Sequence, residues 1–251
     1  LKLMRKIYNF VTFIYNFIST ILENLIFKNT KKNNKFYKIG YSKFNNMKNF
    51  ELTQEEIYLI NINKYYKRII LSKSELTKLI NFIFIECRMI EKITNETGFN
   101  YSIDFFTAYE TSSIELQDKG KGWYANKPHK DKPFSKNTLK LIIPLQNITI
   151  KDGPMKIINK TISKNYNIND NIKFENVTCN IDEVFLFNPN ICYHHASSPE
   201  IGRQRKQMMF QLNLAKKWNI NQKIHSRQNR QEPKFPFFSY LFNKKINLEL
   251  S

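Results

Sequence analysis

Residues that mark several protein classes are scarce in this sequence. Its 251 residues include only six glycines and eight prolines, which excludes collagen-like repeats and Gly/Pro-rich disordered chains. The three cysteines are Cys87, Cys179 and Cys192, and their wide, irregular spacing fits neither a disulfide framework nor a Cys-x-x-Cys metal site. We therefore expect a globular protein with reduced cysteines, located in the cytoplasm.

Acidic residues are also few. Against 21 Asp and Glu there are 40 Lys and Arg, so the formal net charge is +19. A basic surface can bind nucleic acid through phosphate contacts alone. The lysines, however, are scattered along the chain together with many Asn and Ile, as a biased coding composition would produce without any partner. We therefore do not expect a nucleic-acid partner.

The first 27 residues lack a run of about 20 unbroken apolar residues, which a membrane-spanning helix needs. Their apolar residues instead recur at helical spacing, with polar residues between them: Ile7, Phe10, Ile14, Phe17, Ile21 and Leu25. This pattern predicts an amphipathic helix over residues 1–27. Three hypotheses stay open: the helix docks on the domain, it makes peripheral contact with a membrane surface, or it is a signal or anchor.

Composition also suggests where the folded domain begins. Residues 28–50 are rich in Lys and Asn and show no sustained period, which predicts a solvated linker before a domain over residues 51–251. Thr53, followed by Gln54, Glu55 and Glu56, has the pattern of a helix start. Ser72, with Glu75 three residues later, predicts a capped start for another helix. Two helices are thus expected before the core.

From about residue 100 the pattern changes to short β-prone runs separated by turn residues. The runs are YSIDFFTAY, TLKLIIPL, MKIIN, NVTCNI, EVFLFN and KQMMFQLNLA. Because no helical patterns lie between them, they predict an all-β sandwich or barrel rather than a parallel α/β sheet.

The histidines suggest a metal site. Only four are present, at positions 129, 194, 195 and 225. His129 and Asp131 are two residues apart, so an extended backbone places both side chains on one face. His194 or His195, which follow a predicted strand, can complete a set of two histidines and one carboxylate, which suits Fe(II) oxygenases. Taken separately, each pattern is more often a surface or packing feature.

Arg205 opens the last predicted strand. Arginine binds carboxylates in a bidentate manner and keeps its charge, so Arg205 is a candidate anchor for the distal carboxylate of 2-oxoglutarate. The alternation of a strand predicts one face that lines a polar cavity, formed by Arg205, Gln207, Met209 and Gln211. The other face, formed by Met208, Phe210, Leu212 and Leu214, is expected to pack.

These motifs have an order along the chain: His129-x-Asp131, Asp152-Gly153-Pro154-Met155, Asp182 to Phe187 (DEVFLF), His195-Ala196-Ser197-Ser198-Pro199 and Arg205. In this order, residues 99–215 resemble the phytanoyl-CoA dioxygenase-like family of Fe(II)- and 2-oxoglutarate-dependent oxygenases. The resemblance implies a mainly β, double-stranded β-helix (jelly-roll or cupin-like) core with N-terminal α-helices. It also implies that Ser197 joins Arg205 at the co-substrate carboxylate.

The resemblance favours His195 as the third metal ligand, because Ser197 and Arg205 then stand near their expected offsets. His194 is the alternative, and choosing it would shift both offsets. Arg203 is the alternative anchor. The family differs from this chain where Asn159-Lys160-Thr161-Ile162 replaces Pro-Gly-Ser-His and Ile181 replaces a glycine.

The resemblance implies that the chain uses O2 to hydroxylate a small-molecule or lipid-like substrate. Related halogenating enzymes have a small residue at the position of Asp131, so its carboxylate favours hydroxylation. The alternatives are a cupin-like metal-binding barrel without 2-oxoglutarate, an oxygenase of the same fold that acts on nucleic acid or protein, and a non-enzymatic barrel.

Overall fold

The computed structural model describes most of the chain beyond residue 34. The described residues are 10, 13–14, 17–18, 20–23, 25, 35–45, 47, 57–118, 125–131, 136–167, 169–220 and 225–226.

Strands make up most of the secondary structure. They are β1 (Tyr41–Phe44), β2 (Ile57–Asn63), β3 (Tyr66–Leu71), β4 (Asn100–Ser112), β5 (Leu139–Pro144), β6 (Met155–Ile157), β7 (Glu175–Val177), β8 (Val184–Phe187), β9 (His194–His195), β10 (Gln204–Ala215) and β11 (His225–Ser226). The helices are α1 (Lys35–Ile39), α2 (Lys73–Asn81), α3 (Met89–Thr97) and α4 (Lys160–Asn165), with a π-helical turn at Phe82–Glu86 and 3-10 turns at Leu116–Asp118 and Ile150–Asp152.

The strands form two sheets. The large sheet has the order β1-β8-β5-β10-β4-β3-β2, with β11 added beside β4, and the small sheet has the order β7-β6-β9. All pairs along both orders are antiparallel, whereas β11 pairs with β4 in parallel. The six β-prone runs of the sequence all contain strands of these sheets, so that prediction is confirmed.

Two buried clusters lie on opposite faces of the large sheet. The outer cluster joins β4, β5, β8 and β10 to α2 and α3 through Leu79, Ile83, Ile93 and many other apolar side chains. The inner cluster lies between the two sheets, and it combines Ile142, Phe185, Phe187 and Met209 of the large sheet with Met155, Ile157 and Val177 of the small sheet. The molecule is therefore layered as helices, large sheet and small sheet.

Local signals explain the first long helix. The Ser72 side chain accepts a hydrogen bond from the backbone N–H of Glu75 at 3.1 Å, so the predicted cap of α2 is confirmed. The prediction of a helix after Thr53 is wrong for the residues that the structure describes. Residues 53–56 lie outside the described residues, and Ile57–Asn63 is a strand that pairs with β3. Its sequence IYLININ is rich in β-branched residues, whose strand preference outweighs the helix-start signal.

The linker expected over residues 28–50 is wrong for its described central part. Residues Lys35–Ile39 form α1, and Tyr41–Phe44 form the edge strand that pairs with β8. Phe36 is buried in the outer cluster. Residues 35–44 therefore pack with the rest of the described structure, through the buried ring of Phe36 and the pairing of β1 with β8.

The N-terminal region is described only at selected positions. Every described position between residues 10 and 25 is helical. We call these positions the N-terminal helix. Over the described part of the chain, no helix has the length and apolar content that crossing a bilayer requires.

Candidate active site

Backbone pairing brings the first histidine of the site to the end of the small sheet. The N–H of His129 donates to the carbonyl of His194, and the N–H of His194 donates to the carbonyl of His129, both at 3.0 Å. This isolated antiparallel bridge fixes the two side chains next to each other, with ring centroids 4.5 Å apart. Residues 65 positions apart in sequence thus share one site.

The carboxylate of Asp131 completes the group. The Asp131 N–H donates to the carbonyl of Pro189 at 2.8 Å, which fixes the backbone two residues after His129. Asp131 Oδ1 lies 3.5 Å from His129 Nε2 and 3.7 Å from His194 Nε2. One ligand atom from each of the three residues lies within 4.8 Å of the others, an arrangement that could hold a metal ion. The predicted placement of His129 and Asp131 on one face is thus what the structure shows.

Both histidines are oriented by backbone carbonyls. His129 Nδ1 lies 2.8 Å from the carbonyl oxygen of Lys127, and His194 Nδ1 lies 3.1 Å from that of Cys192. A carbonyl only accepts, so each Nδ1 carries the proton and donates. In the neutral rings the Nε2 lone pairs therefore point at the shared space, which is the usual arrangement of histidines that bind metals.

The structure groups His194, rather than the predicted His195, with His129 and Asp131. Consecutive residues of a strand point to opposite sides, and His194 faces the interior beside Phe187, with ring centroids 5.0 Å apart. His195 packs its ring against Phe174 instead. Cys192, two residues before His194, is buried in the inner cluster as well.

The charges of the group suit a cation. Burial raises the pKa of Asp131, but the ion pair with Lys140 and the contacts with His129 and His194 outweigh it, so the pKa of this carboxyl lies well below its ordinary value. Burial lowers the pKa of His194 to about 4. A hydrogen bond with Asp131 raises the pKa of His129, and burial opposes that shift.

The sequence did not predict that Lys140 belongs to the site. It lies on β5, and its Nζ forms an ion pair with Asp131 Oδ2, the oxygen that faces away from the histidines. Its side chain is only 14% exposed. The signal was a single charged residue inside the apolar run LKLIIP, because a lysine in a buried strand needs a partner.

The group opens into a cavity of about 490 Å³ between the sheets. Polar and charged side chains line it beside the three grouped residues: Tyr109, Thr111, Asn126, Lys127, Lys140, His195, Arg205 and Gln207. Apolar lining comes from Ile142, Met155, Phe187 and Met209, among others. The predicted polar face of β10 is confirmed for Arg205, Gln207 and Met209, and its packing face is confirmed by the membership of Met208, Phe210, Leu212 and Leu214 in the outer cluster.

Arg205 is the most unusual residue of the cavity. It is 2% exposed, yet it forms no ion pair with any carboxylate of the described residues. Its Nη1 donates to the backbone carbonyl of Ser197 at 3.3 Å, while its Nε has no partner there. The hydroxyl of Ser197 is also buried and unpaired within the described structure. Burial lowers the pKa of Arg205, but a guanidinium keeps its charge in proteins.

Arg203 has a different environment. Its side chain is about half exposed and lies 3.5 Å from the carboxylate of Asp152. Gly153, which follows Asp152 in the sequence, has φ +63°. A Cβ on Gly153 would lie 2.3 Å from the backbone carbonyl carbon of Ser198. The Asp-Gly-Pro turn therefore packs directly on the turn that follows the tandem histidines. Arg203 stabilises this contact and does not line the cavity.

Comparisons with known proteins define the fold and leave the family open. No protein-family model matches the chain, and a search of curated proteins gives no match. The chain is similar in structure to SnoN, a non-heme alpha-ketoglutarate-dependent epimerase from nogalamycin biosynthesis, with a TM-score of 0.50, 10% identity and coverage of 71% of this chain and 79% of that one. This likeness confirms the double-stranded β-helix fold.

Two other structures are less similar. HygX from Streptomyces hygroscopicus, solved with nickel, 2-oxoglutarate and hygromycin B bound, has a TM-score of 0.45 and 10% identity over 71% of this chain and 84% of that one. EctD from S. alaskensis has a TM-score of 0.46 and 12% identity over 71% of this chain and 74% of that one. TM-scores this low do not support a conclusion about this chain. The resemblance to the phytanoyl-CoA dioxygenase-like family stays a prediction.

Proposed function

We propose that this chain is an Fe(II)- and 2-oxoglutarate-dependent oxygenase that hydroxylates a small molecule. The observation that carries the proposal is the presence of two features in one cavity. One is a group of two histidines and one carboxylate, and the other is a buried arginine without an acidic partner among the described residues. The first fits a divalent metal with open positions, and the second fits an anion.

The metal would be held by His129, Asp131 and His194. Three ligands on one side of an octahedral ion leave the remaining positions for other molecules. Lys140 keeps Asp131 Oδ2 occupied, so Oδ1 is the oxygen available to the metal, and Asp131 would bind through one oxygen. His195 lines the same cavity and is not required as a ligand in this arrangement.

The co-substrate carboxylate would be held by Arg205 and Ser197. A buried guanidinium without a counter-charge is costly, and a bound carboxylate would remove that cost by accepting a pair of charge-assisted hydrogen bonds. The unpaired Arg205 Nε and Ser197 Oγ are the donors that such a ligand would satisfy. With His194 as the ligand, Ser197 and Arg205 follow three and eleven residues later, one residue beyond the offsets that the sequence interpretation attached to His195. Arg205 lines the cavity, whereas Arg203 lies beside Asp152.

The remaining residues position the substrate and limit water. When bound, iron and 2-oxoglutarate supply an oxidant made from O2 that can take hydrogen from a C–H bond. Phe187, Ile142 and Met209 form an apolar wall, and the side-chain amide of Gln207 donates to the hydroxyl of Tyr109, which holds both side chains in place. A cavity of about 490 Å³ is of the size that binds small molecules.

The test is an anaerobic titration of the full chain with Fe(II) and 2-oxoglutarate, in which chelation of iron by the keto acid gives a weak visible charge-transfer band. We expect the band only when both are present. It should persist in His195→Ala and vanish in His194→Ala. No band in the wild-type protein would contradict the proposal. Metal binding without any band would favour the cupin-like barrel that does not use 2-oxoglutarate.

A further inference from the structure

The N-terminal helix carries large apolar side chains that the part of the chain described by the structure leaves exposed. Seven of them are between 39% and 70% exposed: Phe10, Phe13, Ile14, Phe17, Ile18, Ile21 and Leu25. Isolated exposed apolar residues are common on proteins, but a contiguous patch of this kind marks an interaction surface.

These residues share one side of the helix. Their spacing follows i, i+3, i+4, i+7, i+8, i+11 and i+15, and at about 100° per residue they fall within an arc of roughly 140°. Glu23 lies on the opposite side, is 4% exposed, and accepts a hydrogen bond from Asn137 Nδ2 at 2.8 Å. The acidic residue is therefore the one held against the domain, and the apolar side is the one that faces outward.

Apart from the buried Glu23, the charged residues of the sequence around this helix are all basic. Glu23 is the sole acidic residue among the first 50 residues of the sequence, and it is buried. Basic residues flank the apolar positions in the sequence: Lys2, Arg5, Lys6, Lys28, Lys31 and Lys32. An apolar stripe with basic flanks and no exposed acid complements a surface that is apolar inside and negatively charged outside.

We propose that the N-terminal helix docks the protein on the surface of an anionic lipid bilayer. The apolar face enters the boundary between headgroups and acyl chains, and the positive charge of the sequence on both sides of the helix attracts it to anionic lipid. A second copy of the chain fits this face less well, because it would bring two basic segments together. This inference does not depend on the proposed oxygenase activity.

The experiment is flotation of the full-length chain with lipid vesicles. Vesicles of phosphatidylcholine alone are compared with vesicles that also contain phosphatidylserine. The test variant is Phe13→Ser with Phe17→Ser, which removes two exposed rings from the face. The matched control is Leu116→Ser with Ile201→Ser, which removes two side chains of similar exposure outside the helix. Circular dichroism and thermal unfolding establish that both variants are folded.

We expect the wild-type chain and the control to float with the anionic vesicles and to bind the neutral ones more weakly, with the difference reduced by salt. The test variant should have a vesicle partition coefficient at least about tenfold lower, because two large apolar side chains no longer leave water. Failure of the wild-type chain to float, or equal flotation of the test variant, would overturn the proposal. So would equal binding to both lipid compositions. A dimer in vesicle-free buffer that the test variant converts to a monomer would assign the face to a second copy instead.

Discussion

The two faces of β10 are buried to a similar degree but have opposite chemistry. On the outer face, Met208 and Phe210 pack in the apolar cluster under the helices. On the inner face, Arg205 and Gln207 are almost as buried and line the cavity. Because successive residues of a strand alternate sides, one segment can stabilise the fold with one face and present costly polar groups with the other. Residues that stabilise the fold and residues that line the cavity therefore alternate along β10.

Removing a side chain from the outer face should give the largest loss of stability. Phe210 packs its ring against those of Phe84 and Phe106, with centroids 5.4 and 5.0 Å away. Phe210→Ala should lower the free energy of unfolding by about 3–5 kcal/mol. Its neighbour Met209 lines an existing cavity, so Met209→Ala should cost roughly half as much or less. Urea denaturation of both variants measures this, and equal losses would remove the distinction between the faces.

The next prediction separates the tandem histidines, of which His194 belongs to the group with His129 and Asp131 and His195 does not. His194→Ala should weaken binding of Co(II) or Mn(II) by about 100-fold or more, because a ligand contributes at least as much as the outer residues that orient ligands. His195→Ala should change the affinity by no more than about threefold. Calorimetric titration gives both values. Should His195→Ala be the variant that loses the metal, the grouping of His129, Asp131 and His194 would not be the binding site.

The sequence predicted the strands and most of the polar face well, because both depend on alternation that is local to the chain. It could not decide between His194 and His195, because β9 is only two residues long and its register is set by the bridge to His129. The partner of Lys140 and the edge strand β1 were missed for a related reason. Each depends on contacts with residues far along the chain, Asp131 in one case and β8 in the other.

A smaller effect is expected from the ion pair on the inner face. Lys140→Met should lower the free energy of unfolding of the metal-free protein by about 1–2 kcal/mol at pH 7, because Asp131 then stays partly buried without its cation. The pKa of Asp131 is depressed in the folded state, so this contribution is present above the unfolded pKa of about 3.9 and is lost as the pH falls toward the folded pKa.

The difference between wild type and Lys140→Met should therefore be constant from about pH 7 to 5 and shrink below about pH 4. Denaturation curves across this range test it. A difference that grew on acidification would mean that Lys140 does not stabilise the charged form of Asp131.

The smallest effect concerns the access of solvent to the outer and inner clusters. Cys87 lies in the outer cluster, whereas Cys179 and Cys192 lie in the inner one. Burial raises the pKa of Cys179 to about 11 and that of Cys192 to about 12, so neither thiol ionises near neutral pH. Native protein at pH 8 should react with iodoacetamide only at a small fraction of the rate of urea-unfolded protein. Rapid alkylation of Cys192 alone, located by mass spectrometry, would show that the inner layer is open to water.

The central claim is that Arg205, on the inner face of β10, binds a carboxylate beside a bound metal ion. Its most direct test is an anaerobic 2-oxoglutarate titration of the iron-loaded wild type, Arg205→Ala and Arg203→Ala. Arg205→Ala should retain iron but need on the order of a hundredfold more 2-oxoglutarate, because loss of one partner of a buried charge pair costs about 2–5 kcal/mol. Arg203→Ala should change little, since Arg203 is half exposed, contacts Asp152 and is not among the residues that line the cavity. Unchanged 2-oxoglutarate affinity in Arg205→Ala would contradict the account.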